Sequence, residues 1–431
     1  MFPQPEKAFA WKGSIPQFQR IRLEFDRAHI LDVAAAVSQE IDQVENLGQQ
    51  LSGKTVAITA GSRGIDRIEQ ILAALVRRLH AWGAQPFIVP AMGSHGGATA
   101  EGQLGLLAEF GITEASVGAP IHSSMETVEL GRLPNGMPVY MDQHAASADA
   151  IIVVNRIKPH TDFSGEFESG LAKMAAIGLG KLHGADTLHR FGVPGLRDYV
   201  PEAARLVCQK APVIFGLATV ENAYHQAAHI ALVPPEGIAG TQERELLELA
   251  YRLMPRFPFP EIDVLVVDEI GKNISGVGMD PKVIGRVKVH GIADMTVCDI
   301  RAIAVLRLTA ESHGNATGVG LADVTTRRLV SQVDFETTYL NCITSGILGI
   351  QRAAIPVVAP SDKAAIETAL RVCGRPDVLN ARAARIRNTL SMGEMDVTPA
   401  LLAEALPGSA ITPVGEVFSL PFDELGNLPG F

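Results

Sequence analysis

The stretch TVAITAGSRGIDRIEQILAALVRRL, residues 55–79, decides the fold. Its opening TVAIT is short, apolar and rich in β-formers, the pattern of a buried strand. AGSRGI follows, broken by two glycines and so read as a loop. Over 66–79, Ile68, Ile71, Leu72, Leu75 and Leu79 recur at helical spacing, giving an amphipathic helix. The same grammar then repeats. Residues 85–90 read as a strand, AMGSHGGAT as a loop, and 101–110 as a helix that stops at Gly111. A third strand over 150–154 runs into NRIKPHTDFSGEFESG and a further helix-like stretch. Strands alternating with helices imply a parallel sheet with right-handed crossovers. In such sheets the loops at the carboxyl ends of the strands share one crevice, where ligands bind. Those three loops hold Arg63, His95 and His160.

Outward from this core, MPRFPFPEID at 254–263 carries three prolines after a helix-like 241–253, which marks a domain boundary. The expected fold class is α/β in two domains, with the active site in the cleft between them. Residues 1–258 form an N-terminal parallel-sheet domain holding the cofactor and catalytic residues. Residues 262–400 form a smaller C-terminal α/β domain, and 401–431 a tail of loop and short strand packed on a neighbour. A chain of 431 residues, 47% hydrophobic and 19% charged, has room for two cores. The net charge of −10, with no basic run, argues against nucleic acid as a partner. A few local cations would still suit a small anionic substrate. The four cysteines lie far apart without a CxxC, so neither a zinc knuckle nor a disulfide framework is indicated. The first residues lack the apolar core of a signal peptide. The longest apolar runs are strand-sized, well short of the roughly 20 residues of a membrane span. The cytoplasm is the expected compartment, and no membrane is expected as a partner.

Three loops have chemical character. In AGSRG the glycines allow close backbone approach, and the helix-start amides with Arg63 suit a phosphate or carboxylate. A tight turn with a solvated arginine reads equally well. The stretch is neither a GxxxxGK[ST] nor a GxGxxG motif. In GSHGGAT, His95 stands among glycines with no neighbouring bulk, placed to exchange protons or simply bonded to backbone. The densest stretch, 158–189, holds three histidines and three lysines among glycines. Pro159 fixes the chain before His160. Lys173 sits in apolar LAKMAAIGL, where lost solvation would lower its pKa, unless the stem packs and the amine reaches water. His225 and His229, in HQAAH, have i, i+4 spacing, but AHIALV reads as a strand and the glutamate of a zinc-protease motif is missing. In the second domain, DEIGKNISGVGMDP places Lys272 at a strand's carboxyl end. LTAESHGNATGVGLAD, with Glu311, His313 and Asn315, is a further polar glycine loop.

Taken in order, GSHGGAT and KPHTDFSGEFESGLAKM resemble the nickel-dependent lactate racemase family, over most of the chain and including the two-domain plan. The resemblance implies a nickel-pincer nucleotide, a pyridinium mononucleotide with two sulfur-bearing arms tethered to a lysine through a thioamide. It implies His95 and His160 as the acid/base pair and Lys173 as the tether. His189, sixteen residues beyond Lys173, would be the nickel ligand, with His183 in reserve. Ser62 and Arg63 would contact the cofactor, and Arg63 and Lys272 the substrate. The family's aspartate three residues before the arginine is Ala60 here, and its Gly-Gly-Arg before the lysine is SGLA. The implied activity is racemisation or epimerisation of a small 2-hydroxy acid by hydride transfer, with both acid/base histidines titrating near neutrality. Proteins that build and install the cofactor would be partners. Other readings are hydride transfer on another α-hydroxy or sugar-acid substrate, a hydrolase with zinc on His95, His160 and His189, and a non-catalytic binder of an organic acid or nucleotide.

Overall fold

The computed structural model describes residues 6–11, 13–295 and 297–431. It is an α/β protein of two compact units. One spans Asp26–Met254; the other combines Met1–Phe25 with Pro255–Phe431. The expected boundaries at 258 and 262 therefore move to 254/255. The first 25 residues leave the N-terminal unit, because strand Phe18–Leu23 is paired on both sides within the other one.

In the unit Asp26–Met254, five strands lie in the order Gln85–Pro90, Thr55–Ala60, Ala150–Arg156, Val213–Glu221, Ala227–Val233. The first four are parallel and the last is antiparallel. Thr55 pairs with Gln85 and Ala60 with Pro90, so these two strands end level and their loops emerge side by side. Val56, Ile58, Ile88, Ile152 and Phe215 are buried against Ile71, Leu72, Leu75 and Leu79 of helix Ile68–Ala81. Each such side chain contributes about 1.5–3 kcal/mol by leaving water. The helix starts two residues later than its apolar spacing suggests. Arg67 takes a left-handed conformation, and the Asp66 carboxylate is engaged by the Arg67 guanidinium and the Ala227 amide. His229 lies on strand Ala227–Val233 and His225 in the turn before it, so the HQAAH spacing is not helical. A hairpin, Thr127–Arg132 with Pro138–Asp142, has no counterpart in the sequence reading.

The second unit holds an eight-stranded sheet, in the order Val357–Ala359, Val324–Thr326, Asp299–Leu308, Glu261–Ile270, Ala383–Ile386, Glu394–Val397, Phe18–Leu23, Ile411–Phe418. Its first five strands are parallel and the rest antiparallel. Arg20 pairs with Asp396 in register, and the two side chains meet at 2.8 Å. Among the described residues no helix is long and apolar enough to cross a membrane.

Candidate active site

The site grows from the strand ends of the unit Asp26–Met254. After Thr55–Ala60 the chain passes Gly61, where a Cβ would lie 2.9 Å from Met174 Cε. Ser62 and Arg63 follow. Ser62 Oγ lies 2.7 Å from His95 Nδ1. Arg63 makes no hydrogen bond or ion pair among the described residues. Its pKa is lowered by the protein packed around it and by the charge of Arg156, and held up by Asp162. Arg156 itself is bound to Glu221, whereas the donors of Arg63 are unspent among the described residues.

The second loop follows Gln85–Pro90. Gly96 is left-handed, and a Cβ there would strike the backbone of Gly102 and Gln103 at 2.6 Å. This close approach seats the loop on helix Ala100–Glu109, whose first turn is capped by Thr99. His95 Nδ1 lies 2.9 Å from the Met92 carbonyl. A carbonyl only accepts, so Nδ1 carries the proton and Nε2 is left bare. Burial, then the charges of Arg63 and Lys173, push the imidazole down to about 4. That corrects the expectation of a near-neutral titration for His95, and in the resting protein it is a neutral base.

The third loop follows Ala150–Arg156 and is closed by mutual backbone bonds between Lys158 and Ser169. Inside it the buried Glu168 carboxylate accepts from the amides of His160 and Gly165 and from the Tyr251 hydroxyl. His160 Nδ1 accepts from the Asp162 amide at 3.1 Å, so the ring's proton is on Nε2. Nε2 lies 2.6 Å from Lys173 Nζ. Both atoms cannot donate at once, so with this tautomer the contact is one made by the lysine's free amine, the form that prevails above its pKa. Burial, with Arg63 and Lys158 adding to it against Asp162, lowers Lys173 to about 8.

Lys173 ends the short helix Leu171–Lys173, which runs into a π-turn over Met174–Gly178. The helix start is held by Glu243, whose buried carboxylate accepts from the amides of Leu171, Ala172 and Ala239. Gly170 makes room for it, since a Cβ there would sit 2.2 Å from Glu243 Oε1. Glu243 and Tyr251 both lie on helix Thr241–Leu253. One helix therefore steadies both His160 and Lys173. Glu243→Ala would leave buried amides unpaired, and should lower the unfolding free energy by about 3 kcal/mol in a urea titration.

Helix Lys181–His189 brings the last residue. His189 Nδ1 bonds the Ala185 carbonyl one turn back, which turns Nε2 outward. Its pKa is lowered by burial, and it feels the charge of Lys173; His95 in turn feels both Lys173 and His189. His183 faces the other way, with Nδ1 at 2.9 Å from Thr127 Oγ1 and its ring against Tyr140. Thus His95, His160, Lys173, His189, Ser62 and Arg63 come together. Among the described residues no three His, Cys, Asp or Glu side chains gather around one point as ion ligands, so the zinc reading has no ligand set. In the other unit, Lys272 follows strand Glu261–Ile270, as its sequence suggests. Its ammonium donates to the Gly276 carbonyl at 2.6 Å and to Asn341 Oδ1 at 2.8 Å, tying its own loop together.

Residues 26–193 match the family model described as the lactate racemase N-terminal domain. Ser62, Arg63, His95, His160, Lys173 and His189 all lie within the matched stretch. The similarity to that family model covers this stretch of the chain. Among solved structures it is similar to the lactate racemase apoprotein from Thermoanaerobacterium thermosaccharolyticum, at 14% identity and a TM-score of 0.49, over 86% of this chain and 94% of that one. No curated protein matches the chain.

Proposed function

We propose that the protein is a cytoplasmic racemase or epimerase of a small 2-hydroxy acid that works with a lysine-tethered nickel-pincer nucleotide. The observation that carries this reading is the meeting of a lysine of lowered pKa with three histidines beside an arginine without a protein partner among the described residues. The donor set fits the cofactor. Lys173 offers a nucleophilic amine. His189, with Nδ1 on a carbonyl, offers Nε2 to nickel, for which imidazole is a suitable ligand. Ser62 and Arg63 border the same space and suit its anionic parts. Proteins that synthesise and install it would be partners. When bound, the cofactor supplies hydride acceptance and return at the substrate α-carbon.

The chain's own residues do the rest. Arg63 attracts the substrate carboxylate, and Lys272 is the second candidate for that contact. Its present bonds to Gly276 and Asn341 would have to be exchanged for the carboxylate. His95, with bare Nε2, takes the hydroxyl proton in one direction, and His160, with a proton on Nε2, gives one in the other. Moving hydride rather than an α-proton avoids building a second negative charge beside the carboxylate. The test is solvent deuterium at the α-carbon during turnover of cofactor-loaded protein from its native host. Little incorporation is expected; nearly complete exchange with a confirmed substrate means a carbanion route and overturns the reading.

A further inference from the structure

We infer that Lys181 is a positioning residue, whose buried ammonium fixes the His95 loop against the segment that carries Lys173 and His189. Lys181 is fully buried and adopts a left-handed backbone conformation unusual for a residue with a side chain. Its Nζ donates to the Pro90 carbonyl, at the end of the strand that feeds the His95 loop, and to Gln103 Oε1 at 3.0 Å. It lies 3.3 Å from Asp142 Oδ2, a carboxylate that is also fully buried. An ammonium in such a place persists only when charge and donors are answered.

The Gln103 amide is the working joint. A charged ammonium can only donate, so beside Asp142 the amide turns its oxygen to Lys181 and its nitrogen the other way. That nitrogen donates to the carbonyls of Gly93 at 3.1 Å and His95 at 3.3 Å. A chain of contacts therefore runs from Asp142 through Lys181 and Gln103 to the backbone of His95. Gly93 is already pressed against the far side, where a Cβ would meet Ile177 Cγ2 at 3.2 Å and Ala185 Cβ at 3.4 Å. The loop is thus held from both directions. Its imidazole is thereby kept on the Met92 carbonyl and beside Ser62.

Relevance to catalysis rests on the role proposed for His95, but the link can be tested without substrate or cofactor. The apoprotein is labelled with ¹⁵N-histidine, and the His95 signal, assigned with H95Q, is titrated in three proteins. These are the unaltered chain, K181M/D142N, which removes both buried charges together, and Q103L, which removes only the amide. The unaltered imidazole should titrate at about 4. The protein packed around the ring, then the charges of Arg63 and Lys173, hold that value down, so a loosened loop moves the midpoint up, by about one pH unit or more toward the ordinary value. Lower thermal stability with an unchanged His95 midpoint would mean that Lys181 only supports the fold, and would overturn the inference. If K181M/D142N does not fold, Q103L decides alone. An active enzyme whose His95 proves dispensable would defeat the catalytic role and leave this result standing.

Discussion

Lys173→Ala should abolish racemisation, down to the rate of substrate in buffer, and with it the visible absorbance of host-derived protein. Lys173→Arg should do the same, because a guanidinium keeps the charge and has no nucleophilic lone pair at neutral pH. The physical ground is the state of the amine. With its pKa at about 8, Lys173 has roughly 300-fold more free base near neutrality than an ordinary lysine. The His160 contact says the same by independent geometry, since Nε2–H needs an acceptor at 2.6 Å. The sign is that of a lysine depressed by burial: the free amine dominates above about pH 8, and protonation takes over below it. Acylation by the cofactor should therefore slow about tenfold for each pH unit below that value. Peptide mapping by mass spectrometry checks the claim directly. Fully active enzyme with an unmodified Lys173 would refute the covalent assignment.

His95→Ala and His160→Ala should each reduce turnover by about 10²-fold or more, the usual worth of a general acid or base. In kcat/KM both directions must fall equally, because the equilibrium between enantiomers is untouched by the protein. The two rings are set up as opposites. His95 offers a bare Nε2 and His160 a protonated one, each fixed by what its Nδ1 touches. His95→Ala also removes the partner of Ser62. Ser62→Ala alone should therefore be much milder, and comparing the two separates proton transfer from packing. Progress curves from each enantiomer give the measurement. A variant retaining more than a tenth of the activity would remove that histidine from the mechanism.

Much of this site is legible in the sequence, because it sits in loops whose neighbours are local. The strands ending at Ala60, Pro90 and Arg156 announce themselves by apolar runs, and the glycines around His95 mark a backbone that must pass close to a helix. Glu243 was legible and passed over. It shares the face of Leu246, Leu247 and Ala250, and a carboxylate on an apolar stripe has to be answering something buried. Lys181 was not legible. Its partners, Pro90, Gln103 and Asp142, come from three separate elements, and no local pattern reports a contact at that distance along the chain. The low pKa of His95 is not legible for the same reason, since the protein that packs around it, and then Arg63 and Lys173, reach it only in the folded unit. The domain boundary failed at the N-terminus, where a single strand gives no periodic signal of which sheet will take it.

That strand has a consequence for biosynthesis. Phe18–Leu23 leaves the ribosome early, yet both of its neighbours, Glu394–Val397 and Ile411–Phe418, come from the far end of the chain. Some 370 residues must be added before the first can arrive, roughly 20–70 s of translation. The segment Asp26–Met254 has all its strands in hand much sooner and is in effect an insertion within the unit that encloses it in sequence. Folding is therefore expected to be nested, with the inserted segment collapsing first while an unpaired amino-terminal strand waits. A nascent chain in that interval carries two open strand edges, the kind of surface that chaperones bind and that aggregates grow from. A circular permutant that opens at 25/26 and joins residue 431 to residue 1 would place Phe18–Leu23 after Ile411–Phe418, with only residues 419–431 and 1–17 between them. It would convert the slowest long-range pairing in the protein into a local one.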